Sequence, residues 1–266
     1  MGGMNNKQRV SLKIETAEMS ACGISDRGRE RFENEDAILL EESGFFMLLA
    51  DGMGGHERGA EASATVIEII HEYLRPELLL DEIANITETE GIPTDLICLS
   101  SLVEEAIRKA NSVLYERNQK GGYRRFMGTT VAGLVPAKDD YMLWFHVGDS
   151  RVYRCRNSVL KRLTVDHSAH MEWERSGRNG IEPSKHIITR AVGPKRIAIV
   201  DIGWEKRLKE DLYLMCSDGL TDMLSDEKIL QVMTMGDDVN EVAAELVDAA
   251  NDAGGRDNIS VVVCRV

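Results

Sequence analysis

The chain has 266 residues, 43% of them apolar, enough to bury a sizeable core. Its net charge is −13, from 45 acidic against 32 basic residues, and no basic cluster exceeds Arg124-Arg125 or the scatter from Lys206 to Lys209, which argues against a nucleic-acid partner. No run approaches the roughly 18 apolar residues of a membrane span, and the N-terminus lacks the apolar core of a signal peptide. Met1-Gly2 is similar to an acylation start, but Asn6 stands where that motif needs Ser or Thr. Cys22, Cys98, Cys155, Cys216 and Cys264 are odd in number, without Cys-x-x-Cys spacing, and read as buried free thiols of a reducing compartment. A soluble cytoplasmic protein is expected.

In chain order, residues 1 to 15 are polar and read as loose. Ala17 to Ser25 reads as a strand, and Asp26 to Asp36 as a charged connection. Ala37 to Leu40 and Phe45 to Ala50 form a predicted hairpin. From Ala60 to Leu74 the period becomes helical, with Val66, Ile67, Ile70 and Leu74 on one face. Arg75 to Pro93 is a polar excursion. Leu96 to Arg117 is a second helix, its apolar face carrying Leu102, Ala106, Ala110 and Val113. Strands follow at Thr129 to Val135, Tyr141 to Val147 and Val152 to Arg156, with turns at Pro136 to Asp140 and Gly148 to Ser150. Val165 to Pro194 is polar, with room for one short helix. Ile197 to Ile202 and Leu212 to Cys216 are predicted strands, Asp226 to Met235 and Val239 to Ala253 helices, and Ile259 to Val266 a closing strand. Strands, two helices, strands, two helices and a strand suit an α+β fold rather than a regular βαβ series.

Several carboxylates stand beside glycine at the ends of these strands: Asp51-Gly52, Gly148-Asp149, Asp218-Gly219 and Gly255-Arg256-Asp257. Aspartates placed so, with backbone close by, suit hard divalent cations. Singly, each is as well explained as a turn or cap residue. Asp51, Asp149 and Asp218 each follow an apolar strand and are expected to converge at one sheet edge. Asp139 and Asp140 occupy a hairpin turn and are expected on the surface.

Together the motifs are more specific. They run Asp26-x-Gly28-x-x-Arg31-x-x-Asn34-Glu35-Asp36, Asp51-Gly52-Met53-Gly54-Gly55-His56-x-x-Gly59-x-x-Ala62-Ser63, Gly128-Thr129-Thr130, Gly148-Asp149-Ser150-Arg151, Asp166-His167-Ser168, Thr189-Arg190-Ala191-Val192-Gly193, Ser217-Asp218-Gly219-Leu220-Thr221-Asp222 and Gly255-Arg256-Asp257-Asn258. In this order, over residues 26 to 260, the chain resembles the bacterial branch of the PP2C (PPM) metal-dependent Ser/Thr protein phosphatases. The resemblance implies one phosphatase domain over residues 1–266: a central β-sandwich of two antiparallel sheets flanked by helices, with a flap at about 165–194. It implies hydrolysis of phosphoserine and phosphothreonine on proteins by water or hydroxide bridging two divalent cations, Mn²⁺ or Mg²⁺, with a third, weaker ion. Asp51 would bridge the core pair. Asp218 and Asp257 would complete one site, and Glu35 with the Gly52 carbonyl the other. Asp36 would hold ligands or metal-bound water from behind, and Asp149 and Asp222 would join Asp218 at the third ion.

Arg31 corresponds to the family's substrate-phosphate arginine, whose fork grips two oxygens as Lys cannot. Many eukaryotic members carry His directly after the Asp-Gly pair. Met53 stands there in this chain, and His56 either contacts the leaving group or orients the glycine-rich turn. Phosphorylated proteins and an opposing Ser/Thr kinase are the implied partners, the protein acting as a monomer. The alternatives are a pseudophosphatase binding module, which would have lost a ligand, and a regulatory or small-molecule phosphatase of the same fold.

Overall fold

The computed structural model describes residues 9–54, 57–75, 93–122, 125–236 and 238–266. It is an α+β sandwich of two antiparallel sheets. The first has the order β1 (Arg9–Glu15), β2 (Ser20–Asp26), β12 (Ile259–Arg265), β11 (Leu212–Cys216), β8 (Arg151–Arg156), β9 (Val159–Arg162). The second runs β10 (Asp201–Lys206), β7 (Tyr141–Val147), β6 (Val131–Ala137), β4 (Met47–Met53), β3 (Asp36–Leu40), with β5 (Gly128–Thr129) extending the end of β4.

Strand alternation explains the layering. Met47 and Leu49 of β4 face the other sheet, meeting Tyr213 and Met215 of β11 and Val262 and Cys264 of β12. Leu48 and Ala50 face outward, under α1 (Glu57–Tyr73) and α2 (Thr94–Gly121), against Val66, Ile70, Val103 and Leu114. The short helix expected between 165 and 194 is α3 (Ala169–Arg175). On the opposite flank Leu214, Val261 and Val263 pack beneath α5 (Asp226–Met235) and α6 (Val239–Asp252). Central strands buried on both faces therefore need the unbroken apolar runs seen at 46–50, 212–216 and 261–264. Truncating such a residue, as in Leu49→Ala, would cost about 2–5 kcal/mol.

Most elements fall where the sequence puts them; β9 was not expected, and four further differences stand out. The polar start contains β1, an edge strand in which Val10, Leu12 and Ile14 alternate with polar residues and pair with β2. The strand expected at Ile197 to Ile202 begins only at Asp201, because residues 197–200 have no neighbouring strand. Ala198 and Val200 still pack on the core while Ile197 and Ile199 face solvent. β6 runs on through Pro136, opposite Met142 and beyond the end of its pairing with β4, where the missing proline N–H costs no ladder bond. On α2, Leu114 is fully buried where Val113 was expected. All five cysteines are free and buried, and Asp139 and Asp140 lie exposed in their turn. No helix among the described residues is long and apolar enough to cross a membrane. Most of the Arg75 to Pro93 excursion lies outside the described residues.

Candidate metal centre

The strand ends that carry the acidic motifs meet at one end of the sandwich. Asp36 and Asp51 face each other across the β3–β4 ladder. Asp149 follows β7 of the same sheet, whereas Asp218 opens the short helix α4 (Asp218–Thr221) after β11 of the other. Asp257 precedes β12. The convergence is thus between two sheets and not along one sheet edge, as the strand reading had it. Packing the sheets face to face brings their corresponding ends together.

Backbone contacts fix each carboxylate. The Thr130 hydroxyl accepts from the Asp51 N–H at 3.0 Å, while the Thr129 hydroxyl and the Thr130 N–H donate to the Asp51 carbonyl at 2.8 and 2.9 Å. Asn258 accepts from the Glu35 N–H at 2.9 Å and donates to the Arg27 and Glu33 carbonyls, both at 2.9 Å. Ser63 of α1 donates to the Glu35 carbonyl at 2.6 Å. A Cβ on Gly52 would lie 2.2 Å from the Gly59 carbonyl oxygen and 2.5 Å from that of Glu35, and one on Gly59 would lie 2.5 Å from Glu35 Oε1. Gly52 therefore requires glycine, since backbone approaches closer than any side chain permits, whereas a side chain at 59 would push the Glu35 carboxylate aside. Asn258, Thr129, Thr130 and Ser63 all stand inside the recognised motifs, yet their residue types alone gave no hint of these positioning roles.

Asp149 sits in a turn held from several sides. The Gly148 N–H donates to His167 Nδ1 at 3.0 Å, and the His167 N–H to the Gly148 carbonyl at 3.0 Å. Ser150 and Thr130 share a hydroxyl hydrogen bond of 2.7 Å. Arg151 grips Asp166 in a fork at 3.0 and 2.7 Å, a geometry only guanidinium offers.

The electrostatics are those of like charges crowded away from water. Burial pushes the Asp36 carboxyl up to about 7, with Asp218 and Asp257 adding to it. Asp149 is pushed up to about 7 by burial and then by Asp218. Asp218 is raised to about 6 by burial, Asp257 and Asp222, although the Asp51 carboxyl lies within hydrogen-bond reach. Asp51 is driven well above the usual carboxylate range by burial and by Asp36, Asp218, Asp149 and Asp257 together. Burial raises Glu35 as well, against the pull of the Gly59 N–H. Two unit charges about 4 Å apart repel by roughly 4 kcal/mol at an effective dielectric near 20.

Four buried oxygens here make no hydrogen bond of normal geometry: Glu35 Oε1, both carboxylate oxygens of Asp36, which the Ser217 and Ser260 hydroxyls approach, and Asp149 Oδ1. Buried acceptors without donors are rare because each forfeits its solvation. A set of them, all anionic and held by rigid backbone, fits divalent cations that prefer oxygen ligands. Arg31 reaches over the group and donates to Asp257 Oδ2 at 2.5 Å. Asp222 closes α4 and its Oδ2 lies 3.4 Å from Nδ1 of His186. The structure therefore brings together Arg31, Glu35, Asp36, Asp51, Gly52, Asp149, Asp218, Asp222 and Asp257. His56 lies outside the described residues. His186 was not singled out in the sequence, because one histidine in a polar segment carries no periodic or spacing signal.

The Protein phosphatase 2C family model matches residues 27–260, and the chain belongs to that family. It is 31% identical over 249 residues to the serine/threonine phosphatase stp of Listeria monocytogenes, covering 90% of this chain and 92% of that protein. Among solved structures, the serine/threonine phosphatase of S. agalactiae superposes with a TM-score of 0.79 at 30% identity, covering 93% of this chain and 99% of that one. The catalytic domain of the phosphatase PstP, solved with two manganese ions, gives 0.76 at 31% identity, covering 93% and 97%.

Proposed function

We propose that this protein hydrolyses phosphoserine and phosphothreonine on protein substrates, using Mn²⁺ or Mg²⁺ held by the acidic cluster. The observation that carries the reading is the set of buried, partnerless carboxylate oxygens at the meeting of the two sheets, in a chain whose relatives are Ser/Thr phosphatases. Asp51, pushed up by burial and by four other aspartates, would serve two ions at once. Asp218 and Asp257 would share one of them, and Glu35 with the Gly52 carbonyl the other. Asp36 would orient ligands from behind, and Asp149 and Asp222 would hold a third ion with Asp218. When bound, the cations would lower the pKa of a water and neutralise phosphoryl oxygens, the chemistry a slow phosphate-monoester hydrolysis needs.

The chain's own residues supply the rest. Arg31 is half-exposed and, among the described residues, held by Asp257, so a substrate phosphate can draw its fork away from that carboxylate. A cation on Asp257 would weaken the ion pair and favour that exchange. Thr129, Thr130 and Asn258 keep the carboxylate-bearing backbone from relaxing away from its crowded arrangement. The proposed partners are phosphorylated proteins and an opposing Ser/Thr kinase, with the protein acting as a cytoplasmic monomer. The test is steady-state turnover of a phosphothreonine peptide in chelator and after Mn²⁺ addition. Activity that appears only with Mn²⁺ supports the reading, and undiminished activity in chelator contradicts it.

A further inference from the structure

His186 lies in the segment between residues 165 and 194 and is not part of any motif that marks the family resemblance. Backbone bonds fix where it sits. The Ala169 N–H donates to the Ile187 carbonyl at 2.8 Å, the Thr189 N–H to the His167 carbonyl at 2.8 Å, and Ser168 forms an isolated bridge with Ile188. These clips flank His186 on its C-terminal side and direct it to the mouth of the acidic cluster. One ligand atom each from His186, Asp218 and Asp222 lie within 4.8 Å of one another. The Nδ1 of His186 is 3.4 Å from Asp222 Oδ2, longer than a good hydrogen bond. A second feature adjoins this group: Asp149 is 8% exposed, its Oδ1 is buried without a partner, and Asp218 is the charge that acts on it most strongly.

We propose that His186 supplies an imidazole nitrogen to an outer cation held with Asp218 and Asp222, tying the 165–194 segment to the metal centre. This rests on the reading of Asp218 as a cation ligand. A nitrogen donor beside two carboxylates changes the chemistry of the outer position. Mg²⁺ keeps to oxygen ligands and gives up its waters reluctantly, whereas Mn²⁺, Co²⁺ and Zn²⁺ accept imidazole readily. In this chain the outer ion is therefore a transition metal by preference, even where the core ions are interchangeable with Mg²⁺. Its binding also orders the flap, since one ligand comes from the flap and the others from α4.

The experiment titrates Mn²⁺ into the whole protein and into His186→Ala, following bound Mn²⁺ by electron paramagnetic resonance with pulsed detection of nitrogen coupling. His186 is exposed, so its replacement leaves the core intact. The expected result is a ¹⁴N coupling on the weakest-bound Mn²⁺ of the wild type that disappears in His186→Ala. The Kd of that ion should rise about tenfold in the variant while the tighter ions are unaffected. A parallel Mg²⁺ titration should not distinguish the two proteins. Tight Mn²⁺ binding with the same weak-site Kd in both, or a ¹⁴N coupling that survives in the variant, would overturn this inference alone. Absence of any bound Mn²⁺ in either protein would overturn the cation reading of the whole cluster along with it.

Discussion

The residues Gly148 and Asp149 separate two clusters of metal-ligand side chains that behave oppositely. On the Gly148 side, His146 and His167 stack with ring centroids 4.4 Å apart, and Asp201 completes a group with suitable ligand atoms. By residue type this is the better transition-metal site. Its valences, however, are filled. His167 Nδ1 accepts from Gly148, so its proton sits on Nε2, 3.1 Å from Asp201 Oδ2. Arg190 donates to Asp201 Oδ1 at 2.9 Å and lies 3.2 Å from His167 Nε2, putting a fixed cation where an ion would have to go. His146 alone keeps an unpartnered Nδ1, on a ring that burial holds neutral with its pKa pushed down to about 4, and it brings no negative charge to the group. On the Asp149 side the acceptors are anionic, buried and without donors. A cation site is marked by unsatisfied charge held in place, and ligand-type residues that already have partners serve as scaffolding.

The sharpest way to break that comparison is to neutralise one residue in each cluster. Asp51→Asn removes the carboxylate most strongly acted on by its neighbours and should lower phosphothreonine-peptide turnover by more than the roughly 100-fold typical of residues that only support ligands. Asp201→Asn should leave the number of bound Mn²⁺ ions unchanged by equilibrium dialysis. An active Asp51→Asn enzyme, or loss of an ion in Asp201→Asn, would reverse the assignment.

A smaller effect is expected from His167→Ala, which unclasps the Gly148 peptide and lets the Asp149 turn relax. Turnover should fall about tenfold, as for a residue behind a ligand. The Mn²⁺ concentration giving half-maximal activity should rise, and His167→Asn, which preserves an acceptor, should recover part of the loss. A drop in activity with no change in metal demand would remove the link between the clusters.

The mildest probe is pH in the absence of divalent cations. Asp36 and Asp149 near 7 and Asp218 near 6 are raised above the ordinary carboxylate value. The folded state then holds more protons than the unfolded chain between about pH 4 and 7, and the linked stability is full below that window and lost as pH rises through it. The melting temperature of chelated protein should therefore drop from pH 5 to pH 8, by about 2–4 °C for each kcal/mol lost. Saturating Mn²⁺ should diminish the drop. A flat profile in chelator would mean that the carboxylates are not crowded.

The sequence disclosed the site better than its surroundings. Glycine beside aspartate at strand ends pointed to most of the carboxylates that converge, because chemistry restricts both residue types there. Edges were harder to read. Leu12 and Ile14 alternate properly in β1, but only pairing with β2 makes that polar stretch a strand. β9 follows a two-residue turn, Asn157-Ser158, in which both residues have positive φ, a conformation that sequence commonly signals with glycine. Conversely, Ile197 to Val200 has strand composition and no partner to pair with. That the clustered carboxylates belong to both sheets depends on how the sheets stack, which no local pattern records. The saturation of the His167 cluster by Arg190 is likewise a property of the folded neighbourhood.

The most direct test is crystallographic. Crystals grown in saturating Mn²⁺ and measured at the manganese absorption edge locate ions without reference to activity. The account predicts anomalous peaks among Asp51, Asp218, Asp257 and Glu35, and none at His146, His167 and Asp201. Manganese at the histidine cluster with the carboxylates empty would contradict it.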